Sequence, residues 1–134
     1  EELAVVKLTT GGKAKSIEKI LSGEEILLIQ ELLKKIPVAD NVYEYAVKLV
    51  SKTRSSSQFS EDISKKFISW GAGPRASQYL IIGAKAHAAL RGKYSPDIED
   101  VQAVAEPVLR HRIVKNYMAE AEGYTTERII KELL

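Results

Sequence analysis

Cysteine is absent from this chain. Disulfides, thiolate metal ligands and a cysteine nucleophile are therefore excluded, and the absence fits a cytoplasmic protein. No apolar run approaches the roughly 20 residues that a membrane-spanning helix needs. No signal peptide is visible, because the chain begins "EELAVVKL", acidic and amphipathic. Charge of one sign is also missing. Twenty basic residues stand against eighteen acidic ones, a net charge of +2. A dedicated nucleic-acid binder should instead crowd basic residues on one face. The short basic run "RHRIVK", residues 110–115, does not change that expectation, and no nucleic acid is expected as a partner.

The usual catalytic arrangements are missing too. His87 and His111 are the two histidines. His87 lies mid-helix among alanines, which favours a packed or partly exposed imidazole over a metal ligand. His111 sits between Arg110 and Arg112 near a helix end, where a cation suits the dipole. The carboxylates are scattered on polar faces. Glu24 and Glu25, like Asp97, Glu99 and Asp100, read as acids at helix N-termini. No pair is placed as general acid and base. "GGK", Gly11 to Lys13, is not a phosphate loop, because the required earlier glycine is Lys7 and the required Ser or Thr is Ala14. No metal site is expected.

What is present is helical periodicity. The chain has 134 residues, 45% of them hydrophobic, enough for one domain with a real core. Leu3, Val6 and Leu8 mark a short first helix, and "TTGGKAKS" a turn-rich linker. One helical turn is expected over Ile17–Leu21. Ser22 and Glu25 form a capping-box pattern. Behind it Ile26, Ile29, Leu33 and Ile36 share a helical face. Asp40 is the expected cap of the next helix, whose buried stripe is Val42, Tyr45, Ala46, Leu49 and Val50. Ser60 is the expected cap of a short helix carrying Ile63 and Phe67. Pro74 opens a long alanine-rich helix that Gly92 stops; its small residues let neighbours approach, which places it centrally. Ser95 and Pro96 are read as cap and first residue of a helix along Ile98, Val101, Ala105, Val108 and Leu109, with Pro107 bending or breaking it. "TTERIIKELL" closes the chain as a capped helix docking through Ile129, Ile130, Leu133 and Leu134. The expectation is an all-α bundle of about six helices, with no strand.

One residue runs against this grammar. Arg75 follows Pro74 in the first turn of a helix, where a cation opposes the dipole at a cost of roughly 0.3–1 kcal/mol. Its stem can simply cover apolar neighbours. Alternatively, arginine and helix end together make an anion site suited to phosphate. The residues alone leave both readings open.

From about Ile17 the chain resembles the C-terminal lid domain of MoxR-family AAA+ ATPases. "ILSGEEILLIQELLKKIPVADNVYEYAVKLVSKTR" is similar to the first two lid helices. "GAGPRASQYLIIGAKAHAALRGKY" is similar to the family's "GASPRA" segment, and "SPDIEDVQAVAEPVLRHRI" to its "PEDV…VLRHR" segment. "EELAVVKL" resembles the helix that links ATPase core to lid. The resemblance implies a connecting segment over residues 1–16 and a lid over 17–134, both cut from a longer protein; the missing initiator methionine accords with this. It implies ATP and Mg²⁺ in the full-length ATPase, with hydrolysis driving chaperone-like remodelling. The implied partners are the lid's own ATPase core, neighbouring subunits of a hexamer, and proteins with von Willebrand factor A domains. Arg75 matches the sensor 2 arginine that reaches the nucleotide phosphates, with Gly73 and Pro74 fixing its backbone. Two departures stand out: Gly73 replaces the family's serine, and "SSSQFSEDISKKFISW" is a long insertion. The P-loop, the acidic Mg²⁺ strand and the arginine finger belong to the core, so this segment alone is not expected to hydrolyse ATP. The alternative, from another class, is a helical protein-interaction adaptor without a nucleotide role.

Overall fold

The helical periods become eight helices among the described residues of the computed structural model. They are α1 (Glu2–Thr10), α2 (Gly23–Lys35), α3 (Asp40–Lys52), α4 (Asp62–Phe67), α5 (Pro74–Leu90), α6 (Ile98–Leu109), α7 (Tyr117–Ala121) and α8 (Thr126–Leu133). The structure describes residues 1–11 and 18–134. Most of the "TTGGKAKS" linker, Gly12 and Lys13 of "GGK", and the expected junction at residues 16–17 lie outside the described residues. So does Ile17; Glu18 to Leu21 carry no helix, contrary to the expected turn.

The chain divides into two units, Glu1–Gln30 and Glu31–Leu134. In the first, the capping box ahead of α2 is formed. The Ser22 amide donates to Glu25 Oε2 at 2.6 Å, and the Glu25 amide to Ser22 Oγ at 3.2 Å. Two orphan helix donors are thereby satisfied reciprocally.

The second unit holds the core. α5 packs chiefly against α6 and α3, as its small residues predict. Gly83 shows why: a Cβ there would lie 3.2 Å from Val104 Cγ2, so glycine lets α6 approach. Val42, Ala46, Leu49 and Val50 of α3 are buried, as are Ala76, Leu80, Ala84 and Ala88 of α5. Val101, Ala105 and Leu109 of α6 join them, with Ile129, Ile130 and Leu133 of α8. Tyr45, Ile63 and Val108 pack at the margin, while Leu134 is exposed. The α5 C-terminus closes on Gly92 at φ 73°, with the Lys93 amide reaching the Ala88 carbonyl at 2.9 Å. That left-handed residue is where glycine is needed.

Several local expectations need correction. Asp97, not Ser95, caps α6, accepting from the Asp100 amide; the Ser95 hydroxyl instead donates to the Pro37 carbonyl. Ala39 precedes α3, so Asp40 is its first residue rather than its cap. Glu61, without a side-chain cap bond, stands before α4 in place of Ser60. Pro107 neither ends nor breaks α6, which continues to Leu109. A two-stranded antiparallel ribbon also exists, β1 (Ile68–Trp70) with β2 (Val114–Lys115). Strands of three and two residues are too short to show a period of two, so they left no signal. α4 and β1 both lie within the "SSSQFSEDISKKFISW" stretch. α7, capped by Asn116, is similarly too short to announce itself.

Candidate functional site

The turn that launches α5 is held by the end of α3. Thr53 is fully buried. Its hydroxyl donates to the Val50 carbonyl at 2.7 Å and accepts the Ala72 amide at 2.9 Å. Arg54 Nε donates to the Ala72 carbonyl at 2.8 Å. Both polar groups of one residue are thus gripped by the "TR" pair. Gly71 makes the approach possible: a Cβ there would stand 2.4 Å from the Thr53 carbonyl oxygen. We therefore expect Gly71→Ala to push the two segments apart and to destabilise the protein by about 1–3 kcal/mol. Thermal melts of the two forms check this; an unchanged midpoint would show that the clamp is slack.

Beyond the clamp the chain enters the helix in extended form. Gly73 is the N-cap of α5, φ −86° and ψ 178°, and offers no side-chain cap bond. Space does not require glycine here, since a Cβ would meet nothing within 4 Å. Pro74 occupies the first turn, where its missing N–H costs nothing. Arg75 follows with its side chain exposed. Among the described residues it makes no ion pair or side-chain hydrogen bond. α5 is also the one helix of the eight without an acid in its first turn. Helix dipole and guanidinium therefore act together, with no acid in the first turn and no carboxylate paired to Arg75 among the described residues.

A cleft of about 420 Å³ opens beside this turn, lined by Arg54, Ser56, Ser69, Trp70 and Gly73 among others. Trp70 is 74% exposed, so an open indole faces solvent next to the start of α5. Between α3 and α5 runs a second, apolar groove of about 460 Å³, with Tyr43, Val47, Ile81 and Ile82 on its walls.

At the other end of α5 stands an ionic centre that sequence reasoning missed. Asp100 was expected as one acid among several at a helix start. It is buried, at 1% exposure. Oδ1 lies 2.7 Å from His87 Nδ1, while Oδ2 accepts from Lys93 Nζ at 3.0 Å and from the Asp97 amide at 3.0 Å. A carboxylate only accepts, so His87 Nδ1 carries the proton. Burial pushes the Asp100 pKa up, but the bonds from Asp97, His87 and Lys93 outweigh it and hold the carboxyl well below its usual range. Lys93 is raised in turn, first by Asp97 and then by Asp100. His87 is partly exposed, as expected. His111, exposed in the turn after α6, takes no part.

The AAA lid domain family matches residues 60–133, more than half of the chain and the whole run from α4 to α8. The chain belongs to the AAA lid domain family. The lid is 34% identical over 117 residues to the chaperone MoxR1 of Mycobacterium tuberculosis, covering 87% of this chain and 31% of that protein. It is 27% identical over 135 residues to the uncharacterized protein YeaC of Bacillus subtilis, covering 100% of this chain and 39% of that one. A crystal structure of a candidate ATPase from Cytophaga hutchinsonii superimposes with a TM-score of 0.83 and 32% identity, over 98% of this chain and 40% of that chain. The lid thus spans about a third of the length of the curated relatives it matches. These likenesses support the MoxR type of AAA+ lid. No helix among the described residues is long and apolar enough to cross a membrane.

Proposed function

We propose that this lid serves a full-length MoxR-type ATPase in which Arg75 is the sensor 2 residue, contacting the phosphates of ATP. The observation that carries the reading is Arg75 itself: exposed, without a carboxylate partner among the described residues, and set at a helix start free of acids. Gly73 and Pro74 aim it, and the Thr53–Arg54 clamp fixes the turn from which it projects. A guanidinium there stabilises charge as the terminal phosphoryl group is transferred. Mg²⁺ is assigned to the ATPase core, as the family resemblance implies.

The wider reading follows the family. ATP binding and hydrolysis move the lid against its own core, and this motion drives chaperone-like remodelling of partner proteins. The apolar groove between α3 and α5 supports such docking, because an exposed apolar wall is stabilised by a covering surface. Assembly into a hexamer, cytoplasmic location and partners with von Willebrand factor A domains complete the proposal.

The test is steady-state ATP hydrolysis by the full-length protein. Arg75→Ala is expected to lower kcat/KM at least tenfold, the order of one lost charge-assisted hydrogen bond. Wild-type turnover per folded molecule would remove Arg75 from the site and favour the adaptor reading.

A further inference from the structure

The "HR" of the "VLRHRI" segment has no part in the site described so far. Arg112 lies in the turn after α6, far from Arg75 in sequence. Its Cζ nevertheless stands 4.9 Å from the centroid of the Tyr79 ring. Tyr79 is four residues beyond Arg75 on α5, and residues so spaced share a helical face. Arg112 therefore lies over a half-exposed tyrosine that shares a helical face with Arg75.

The donors of Arg112 are only partly used. Nη1 is committed to the Val108 carbonyl and to His111 Nε2. Nε and Nη2 have no partner among the described residues, and no carboxylate pairs with the group. Its neighbour Arg110 contrasts with it, being paired with Glu106 at 3.2 Å and Glu127 at 3.6 Å. A guanidinium lying over an aromatic ring keeps its N–H groups at its edges, open to an acceptor. Two unneutralised arginines and a helix N-terminus on one face repel one another mildly until an anion joins them.

We propose that Arg112 is a second anion-binding residue of the Arg75 site, held ready by Tyr79, so that the two guanidiniums grip one polyphosphate. This rests on the reading of Arg75 as a phosphate ligand. A polyphosphate has separate charged groups for two separated cations, whereas a single carboxylate does not.

The experiment is calorimetric binding of a slowly hydrolysed ATP analogue, of ADP and of adenosine to the full-length protein. Wild type, Arg112→Ala, Arg112→Lys and Arg75→Ala are compared at low and moderate salt, each with a thermal melt. Arg112→Ala is expected to weaken the ATP analogue by about tenfold, a loss typical of a hydrogen bond to a charged group. ADP should lose less and adenosine nothing. The affinity of Arg112→Ala should also fall less steeply with salt than that of wild type. Arg112→Lys, which keeps the charge and folds if alanine does not, should recover part of the loss. An equal loss for adenosine would show that Arg112 only shapes the fold and would overturn the proposal. So would Arg112→Ala with unchanged affinity beside an impaired Arg75→Ala, an outcome that leaves the Arg75 reading standing. If Arg75→Ala binds normally while Arg112→Ala does not, the shared grip is refuted together with the sensor reading.

Discussion

Replacing Asp100 by alanine should destabilise the lid by about 3 kcal/mol, combining a lost capping interaction with lost hydrogen bonds to a charged acceptor. The carboxylate is the common acceptor for α5 through His87, for the loop after α5 through Lys93, and for the start of α6 through the Asp97 amide. His87 and Lys93 are partly exposed, so water satisfies them when Asp100 is gone. The loss is therefore smaller than that of stranding a buried charge. Asp100→Asn should fall between, because an amide oxygen still accepts from one donor but carries no charge. The pH dependence follows from the depressed pKa. Folding stabilises the ionised form, so the stabilisation is fully present above the unfolded value of about 3.9. It fades as pH falls from there toward the lower folded value. Urea titrations at pH 7 and pH 3 should show the gap between wild type and Asp100→Asn narrowing in acid. A gap of constant size would mean that packing, not charge, holds this corner.

The second large effect separates stability from function on one helix. Leu80 is fully buried in the middle of α5. Leu80→Ala removes buried methyl groups and leaves a cavity, for a loss of roughly 2–5 kcal/mol. Arg75, one and a half turns earlier, is exposed and opposes the dipole, so its removal should leave the melting temperature within a few degrees of wild type. The expected pattern is a crossed one. Leu80→Ala melts early but hydrolyses ATP normally per folded molecule in the full-length protein, while Arg75→Ala melts normally and hydrolyses slowly. Melts beside turnover assays decide it. An early-melting Arg75→Ala with full turnover would make Arg75 a structural residue.

Helix existence was legible in the sequence wherever an amphipathic stripe ran for three turns or more. α2, α3, α5 and α6 announced themselves through apolar residues repeated at helical spacing, which α3, α5 and α6 bury in the core while most apolar residues of α2 stay exposed, and Pro74 and Gly92 marked the limits of α5 by backbone chemistry that neighbours do not alter. The shortest elements did not. α7 and the ribbon have too few residues to carry a period, and their stability comes from what they pack against. The reciprocal cap at Ser22 and Glu25 was legible, whereas the equally reciprocal one at Asp97 and Asp100 was misread because Ser95 stood close by as a second candidate. Arg75 was singled out because its position broke a local rule, and local rules are read from neighbours in sequence.

What the sequence by itself determined is an all-α chain, its central small-residue helix, and an arginine placed against the dipole at that helix's start. Only the tertiary structure decided that Thr53 and Arg54 grip the turn before Arg75, that Asp100 is buried as an acceptor for His87 and Lys93, and that Arg112 lies over Tyr79. The reason is physical. Periodicity and capping are set within a few residues along the chain. A hydrogen bond across 19 residues, or a guanidinium over a ring 33 residues away, depends on how helices cross, and packing settles that only when the whole core forms.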